Sequence, residues 1–437
     1  MQPPPAPHPI LALRTDGNPD SQCSGSATIS SEADSAALSR CKTYTGDIAV
    51  ATDAEYTMNI DGLEEITGTL SSRTAIGLAS LGADSLKSVG SLELSELTIL
   101  SSLNFPELTT AESLMLDSLP ALSYLGFTRS LSAVDVLDIK NTFLSALDSV
   151  DAEGKVSNIS IQYNHYMQDI TLATRRIADT LLITANGDQL RVELADLESA
   201  GNITISDASE IHLPSLTSIG GSLSISSNSG RYSSYHSPEE LDLSKLETVG
   251  GDIIFVDNPD LTSIDLSALK SVGGALVFNG TDGLNLFDFP SLETVGGILY
   301  LSGNFSEIHV PSIKSIQDLY IYSPKNFPSA DTTDETAAWL NSDVVKGVKT
   351  VFGRFNNATE EADSNNSTTT STATSSTASS LSVSVAAAAT TANSESTAAS
   401  ASRTAAATTG AAGSGSTRVF VGMGAVIGAL TCFMLAL

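Results

Sequence analysis

Apolar residues recur along this chain in short alternating runs at a near-constant interval. The runs open at Ile48, Leu70, Leu92, Leu114, Leu137, Ile159, Leu181, Ile203, Leu223, Ile253, Leu276, Leu299 and Leu319. The successive gaps are 22, 22, 22, 23, 22, 22, 22, 20, 30, 23, 23 and 20 residues. Two residues on stand Val50, Ser72, Leu94, Leu116, Ile139, Ile161, Ile183, Ile205, Ile225, Phe255, Phe278, Leu301 and Ile321, so only Ser72 breaks the apolar rule. Side chains two apart on a strand share a face, so each run predicts a short strand with one buried side. A single buried face at a fixed period is covered by stacking on the next copy. The pattern therefore predicts a mainly β protein, a parallel β-solenoid of about 13 coils, roughly 60 Å long at ~4.8 Å per coil.

The rest of each repeat supports stacking. In the second half it reads roughly L-x-x-L-x-x-V-G-G-x-L-x-L-x-x-N, with glycine pairs Gly220-Gly221, Gly250-Gly251, Gly273-Gly274 and Gly296-Gly297 ending one residue short of a strand. Those glycines are expected to take φ > 0 corners. An Asn follows the strand start by five at Asn164, Asn186, Asn228, Asn258 and Asn304, with Asn141 one place early. Turned inward, such residues would form a hydrogen-bonded ladder along the stack.

The segments outside the repeat divide the chain further. Residues 1–22 hold five prolines before residue 10 and only Ile10 to Leu13 as an apolar run. A secretory leader needs about 7–15 apolar residues, so the expected leader would lie upstream of Met1. Residues 23–47 form an N-terminal cap. There Cys23 and Cys41 flank a short predicted helix at 31–40, opened by a capping-box pair, Ser31 and Asp34. A disulfide would seal the exposed end of the stack, and two buried free thiols are the alternative. The solenoid spans 48–324. In 325–360, Leu340, Val344, Val348, Phe352 and Phe355 at spacings of 4, 4, 4 and 3 predict a helical cap that includes Trp339. Residues 361–418 are a Ser/Thr/Ala-rich stalk, and 419–437 an uncharged apolar tail. A terminal apolar block preceded by small residues matches a glycosylphosphatidylinositol (GPI) signal, with Gly410 the chosen attachment residue. A membrane-spanning tail is the other reading.

Charge and surface chemistry narrow the function. With 21 basic and 50 acidic residues the net charge is −29, which excludes nucleic acid and anionic headgroups as expected partners. No cofactor or metal motif is present, since the five His are scattered and no C-x-x-C occurs. Sequons stand at Asn158, Asn202, Asn279, Asn304, Asn357, Asn365 and Asn366. Asn158, Asn202 and Asn279 have outward parity and, with Asn357, are the expected N-glycosylation sites. Asn304 falls on the inward ladder and should be poorly modified. The outward positions become apolar and aromatic in the last four coils, at Ile254, Val277, Tyr300, Tyr320 and Tyr322, a candidate binding face, the alternatives being cover by residues 331–355 or pairing with a second copy. The long connection 229–240, with Arg231, Tyr232, Tyr235 and His236, is a second candidate. Outward acids Glu93, Asp117 and Asp138 are the only material for polysaccharide cleavage, and they lie on separate coils, so no enzyme is expected.

The repeat unit resembles the receptor L-domains of insulin- and epidermal-growth-factor-type receptors, which are leucine-rich-repeat-like solenoids. Adding Cys23-Ser-Gly-Ser-Ala-Thr-Ile, the Thr-Gly-Asp at 45–47, the stalk and the GPI-like end, the chain resembles the fungal GPI-anchored cell-wall-organisation proteins of the extracellular-mutant and sporulation-specific family. The resemblance covers about residues 20–322 and the tail. It implies a plasma-membrane or wall location, a non-catalytic part in wall integrity, membrane attachment through the anchor, and wall polysaccharides or wall proteins as partners. Members usually carry a leader and further cysteines closing the C-terminal end of the repeats. The alternative is an adhesion or carbohydrate-binding ectodomain.

Overall fold

The computed structural model describes residues 23–127, 131, 134–147, 150, 156–227, 237–328 and 343–356, with backbone only for 324–328 and 352–356. Residue Asn357, Gly410, the stalk, the tail, Trp339 and most of the 229–240 connection lie outside them.

The strands stack in parallel into an 18-stranded sheet that follows the coils, with shorter parallel sheets on other sides of each turn. The register joins the expected first positions into one unbroken column. Ile48 pairs with Leu70, Leu70 with Leu92, Leu92 with Leu114 and Leu114 with Leu137. The column continues through Ile159, Leu181, Ile203, Leu223, Ile253, Leu276 and Leu299 to Leu319. Every one of these thirteen side chains is at most 1 % exposed, and all thirteen positions two residues on, Ser72 included, are buried. The coils are numbered 1–13 below by these first residues.

Aromatic rings thicken the interior near the C-terminal end. Phe255 and Phe278 stack at 4.8 Å, and Phe278 meets Phe287 edge-on at 5.3 Å. In coils 3 and 4 Phe105 and Phe127 form a ring pair at 6.3 Å, and Leu fills most of the rest of the described interior.

Both ends differ from simple expectation. Before coil 1, strand Ser24–Ile29 adds one more rung, with Ala27 beside Ile48. Cys23 and Cys41 are joined by a disulfide, and helix Glu32–Leu38 opens with Ser31 and Asp34 in a reciprocal capping box. The Asp34 carboxylate accepts from the backbone N–H of Ser30 and of Ser31, and these bonds, Ser30 first, hold its pKa below the usual value. At the other end the expected helical cap is corrected within its described part. Residues Lys349–Asn356 are a strand, pairing in parallel with Ser315–Pro328 so that Lys349 lies beside Leu319. Gly347 and Gly353 disfavour helix there, whereas Lys349-Thr350-Val351-Phe352 alternates and meets an open sheet edge that a further rung satisfies.

The corners are also corrected. The glycine pairs do not take positive φ; among described glycines only Gly25, Gly46, Gly62 and Gly280 do. Instead, the chain turns left-handed four residues after strand start, at Thr74, Glu96, Ser118, Asn141, Tyr163, Ala185, Asp207, Asp257 and Gly280, with φ from 51° to 69°. Left-handed L-residues cost roughly 1–2 kcal/mol each. The compensation is local. The N–H at this corner donates to the next coil's carbonyl, as in Glu96 to Asp117 at 2.9 Å and Asp257 to Asn279 at 2.9 Å. The following residue then turns inward. The paired glycines serve close approach instead: a Cβ on Gly250 would lie 2.1 Å from the Gly220 carbonyl oxygen, and one on Gly273 2.0 Å from that of Gly250.

The inward residue five after strand start gives a mixed ladder. It is apolar in coils 2–4, at Ala75, Leu97 and Leu119, and polar in the middle. Asn164 Oδ1 accepts from Thr142 N and Oγ1 at 2.9 and 2.7 Å, and its Nδ2 donates to Asn186 Oδ1 at 3.1 Å. Asn258 Nδ2 donates to the Ile225 carbonyl at 3.0 Å. Two expected members are absent from it. Asn141 is exposed at the left-handed corner, and Thr142 takes its place. Asn304 is only half-buried and donates to the Asp282 carbonyl at 3.2 Å, because the fully buried Phe305 ring fills the interior there. The burial that was to keep Asn304 unmodified is therefore not present. Asn228 lies outside the described residues.

Candidate functional site

Interior positions are consumed by the stack, so recognition falls to the outward columns. One residue after strand start the register aligns Ser224, Ile254, Val277, Tyr300 and Tyr320. Three after, it aligns Ser226, Val256, Asn279, Ser302 and Tyr322. The structure thus brings Ile254, Val277, Tyr300, Tyr320 and Tyr322 onto one face of coils 10–13. All five are half-buried, and the rings of Tyr300 and Tyr322 lie 5.8 Å apart at 45°. Burial pushes the Tyr320 and Tyr322 hydroxyls up, with Asp318 adding to the first and the neighbouring tyrosines to the second. Neither column holds a charged side chain in coils 9–13.

A shallow groove of about 480 Å³ runs beside this face, lined by Ser218, Thr248, Ser271 and Thr294 and by the glycines Gly220, Gly250, Gly273 and Gly296. It exists because the glycines carry no side chain where neighbouring backbones come closest. Ile219, Val249 and Val272 complete its walls, and no lining side chain is charged.

The residue just before strand start has a structural task that sequence patterning did not reveal. Its short polar side chain accepts the N–H of its counterpart one coil on: Asp47 from Thr69 at 2.8 Å, Asn202 from Ser222 at 2.9 Å and Asp252 from Ala275 at 2.7 Å. Asn202 is thus partly tied to the scaffold. Asn158, at the equivalent position of coil 6, is half-buried. A signal existed in the repeated Asp, Asn or Ser at this position.

The outward acids do not converge. Glu93 and Asp138 are separated by Met115 in the same column. Asp138 is bound to Lys140 at 2.8 Å, Glu93 accepts from Ser91 at 3.1 Å, and Asp117 accepts from Ser118 at 2.9 Å. Among the described residues no group of three or more His, Cys, Asp and Glu is placed to hold a metal ion. Nor is any described helix long and apolar enough to cross a membrane.

Comparison with known proteins fits this architecture. The chain is 34% identical over 333 residues to cell wall protein ecm33 of Schizosaccharomyces pombe, covering 75% of this chain and 76% of that one. It is 30% identical over 323 residues to protein ecm33 of Aspergillus fumigatus, covering 73% and 78%. A cell surface GPI-anchored protein of Arthroderma benhamiae is 33% identical over 244 residues, with 55% of this chain and 60% of that protein covered. No family model and no solved structure matches. Two of these relatives align across about three quarters of both chains, and the chain belongs to the fungal Ecm33 family of cell-surface and cell-wall proteins.

Proposed function

We propose that this protein is a non-catalytic, GPI-anchored surface glycoprotein that supports the organisation and integrity of the fungal cell wall. The observation that carries the reading is the dispersal of the outward carboxylates, with Met115 between Glu93 and Asp138 and Lys140 neutralising the latter. Hydrolysis of a glycosidic bond canonically uses two carboxyl groups that flank the scissile bond, one protonating the leaving oxygen and one acting at the anomeric carbon. A rigid stack that spends its repeat on core and turns suits a spacer that presents a surface. The test is a strain lacking the protein, challenged with a wall-perturbing dye. Full rescue by both the natural chain and the Glu93→Ala/Asp138→Ala double variant supports the proposal; failure of the double variant despite normal surface display contradicts it. The apolar face of coils 10–13 favours a second reading, adhesion to carbohydrate. Pull-down on β-glucan, chitin and mannan particles, lost in Tyr300→Ser/Tyr320→Ser, would establish that one.

A further inference from the structure

The uncharged face of coils 10–13 has a glycosylation sequon at its centre. Asn279, Gly280 and Thr281 form it. Asn279 lies between Val256 and Ser302 in its column and shares outward parity with Val277 on its own strand. Among the described residues no hydrogen bond engages its side-chain amide, whereas the Asn202 amide oxygen is held by Ser222. The short side chain of Ser302 stands between Asn279 and Tyr322 in the column, and the Tyr300 and Tyr322 rings lie 5.8 Å apart. From Asn279 to the Tyr322 rung is two coils, ~10 Å, within reach of a disaccharide.

We infer that this face is the seat of the protein's own N-linked glycan, attached at Asn279, with its first N-acetylglucosamine units lying against Tyr300 and Tyr322. A pyranose ring offers an apolar C–H face and a polar rim, which matches tyrosine rings that are apolar in body and hydroxylated at the tip. The sugars are neutral, and the two outward columns of this face carry no charged side chain, with Asp257 and Asp318 only at its border. Attachment takes a polyprenyl-pyrophosphate-linked oligosaccharide. The Asn279 Nδ2–C1 bond forms, the C1–O bond to pyrophosphate breaks, and the amide proton leaves to the departing pyrophosphate or solvent. Thr281 is fully buried in the folded coil and Gly280 is left-handed at φ 69°. The sequon hydroxyl is thus reachable only before coil 11 closes, and the glycan is laid onto the face as the coil folds. So seated, it closes the face to a second copy of the chain and to free polysaccharide.

The inference relies on the cell-surface reading only for entry into the secretory route. The test uses the full chain secreted from a fungal host. Glycopeptide mass spectrometry reads occupancy at Asn158, Asn202 and Asn279, and an environment-sensitive dye reads exposed apolar surface. Asn279 should be occupied, and Asn279→Gln should raise dye fluorescence severalfold. Asn158→Gln should stay near the starting value, and natural chain trimmed to a single N-acetylglucosamine per site should rise towards the Asn279→Gln value. Asn279 bare while Asn158 is occupied overturns the inference alone; all sequons bare overturns it together with the surface reading. Dye fluorescence unchanged in Asn279→Gln also overturns it. If that variant is not secreted, endoglycosidase rates decide. Release at Asn279 should be several times faster in Tyr300→Ser than in the natural chain, and equal rates contradict the inference.

Discussion

Coils 2–4 and coils 10–13 share one register and one set of buried positions, yet they present different outer surfaces. One residue after strand start, the early coils show Ser71, Glu93 and Met115, and the late ones Ile254, Val277, Tyr300 and Tyr320. The interiors also diverge, with Leu dominating the first region and stacked phenylalanines the second. The backbone hardly registers these changes because the hydrogen-bonded ladder fixes the coil spacing. Inward parity carries stability and outward parity carries recognition, so the two are free to vary separately. The contrast yields a graded set of tests.

The largest effect belongs to the late interior. Phe278 is fully buried against Phe255, Phe287 and Phe289, so Phe278→Ala should destabilise by ~3–5 kcal/mol in denaturant unfolding. Leu92→Ala, in an early interior of single leucines, should cost ~2–5 kcal/mol. A loss below about 1 kcal/mol at Phe278 would break the claim of a continuous packed core.

Next comes the glycine column, which only the late coils possess as pairs. Gly250→Ala and Gly273→Ala set a Cβ within 2.1 Å of a facing carbonyl oxygen, an overlap that should cost ~1–3 kcal/mol. Thermal melting of the two variants measures it. Substitution without loss would mean that the coils are not held so closely.

A smaller change of opposite sign is expected at the corners. Ala185 occupies the left-handed region at φ 54°, and Ala185→Gly relieves that strain. Allowing for glycine's entropy in the unfolded chain, the net stabilisation should be about 0.5–1 kcal/mol. Destabilisation would show that the corner is not strained.

The smallest effect lies on the early surface. Glu64 is clasped by Lys87 at 2.7 Å and Lys42 at 2.9 Å, and the hydrogen bonds from Lys87 and then Lys42 lower its pKa from 4.5 to about 2. A depressed folded value means the stabilisation is complete above the unfolded value and fades as pH falls from 4.5 toward 2. Both partners are exposed, so added salt should erase it. Comparing Glu64→Gln with the natural chain at pH 6 and pH 2, at low and high salt, reads it. A difference between the two proteins that persists at pH 2 would contradict the assignment.

The stacked fold was legible because Leu and Ile at a constant interval have one economical use. Ends and corners were not. Strand Ser24–Ile29 has only Ala27 and Ile29 as apolar residues, too few to register as a repeat. Val344, Val348, Phe352 and Phe355 fit a helical period, and the pairing of Lys349–Asn356 depends on an edge created by the preceding coil. Left-handed corners fell on Thr74, Glu96 and Tyr163, residue types that announce nothing, while the glycines that drew notice were needed for contact. At the candidate site, outward parity picked out the five face residues. It also placed Asn279 on the strand of Val277; what it could not convey was the close approach of the Tyr300 and Tyr322 rings, which side-chain packing sets.

The central claim is that thirteen successive coils share one dry interior beneath one uninterrupted ladder. Amide hydrogen exchange followed by mass spectrometry across the full chain tests it most directly. Peptides containing Ile48, Leu70 and each later first residue through Leu319 should all show strongly slowed exchange, coils 10–13 no less than coils 2–4. A block of these strand amides exchanging at the rate of free peptide would mean the ladder is broken there, and the architecture described would be wrong.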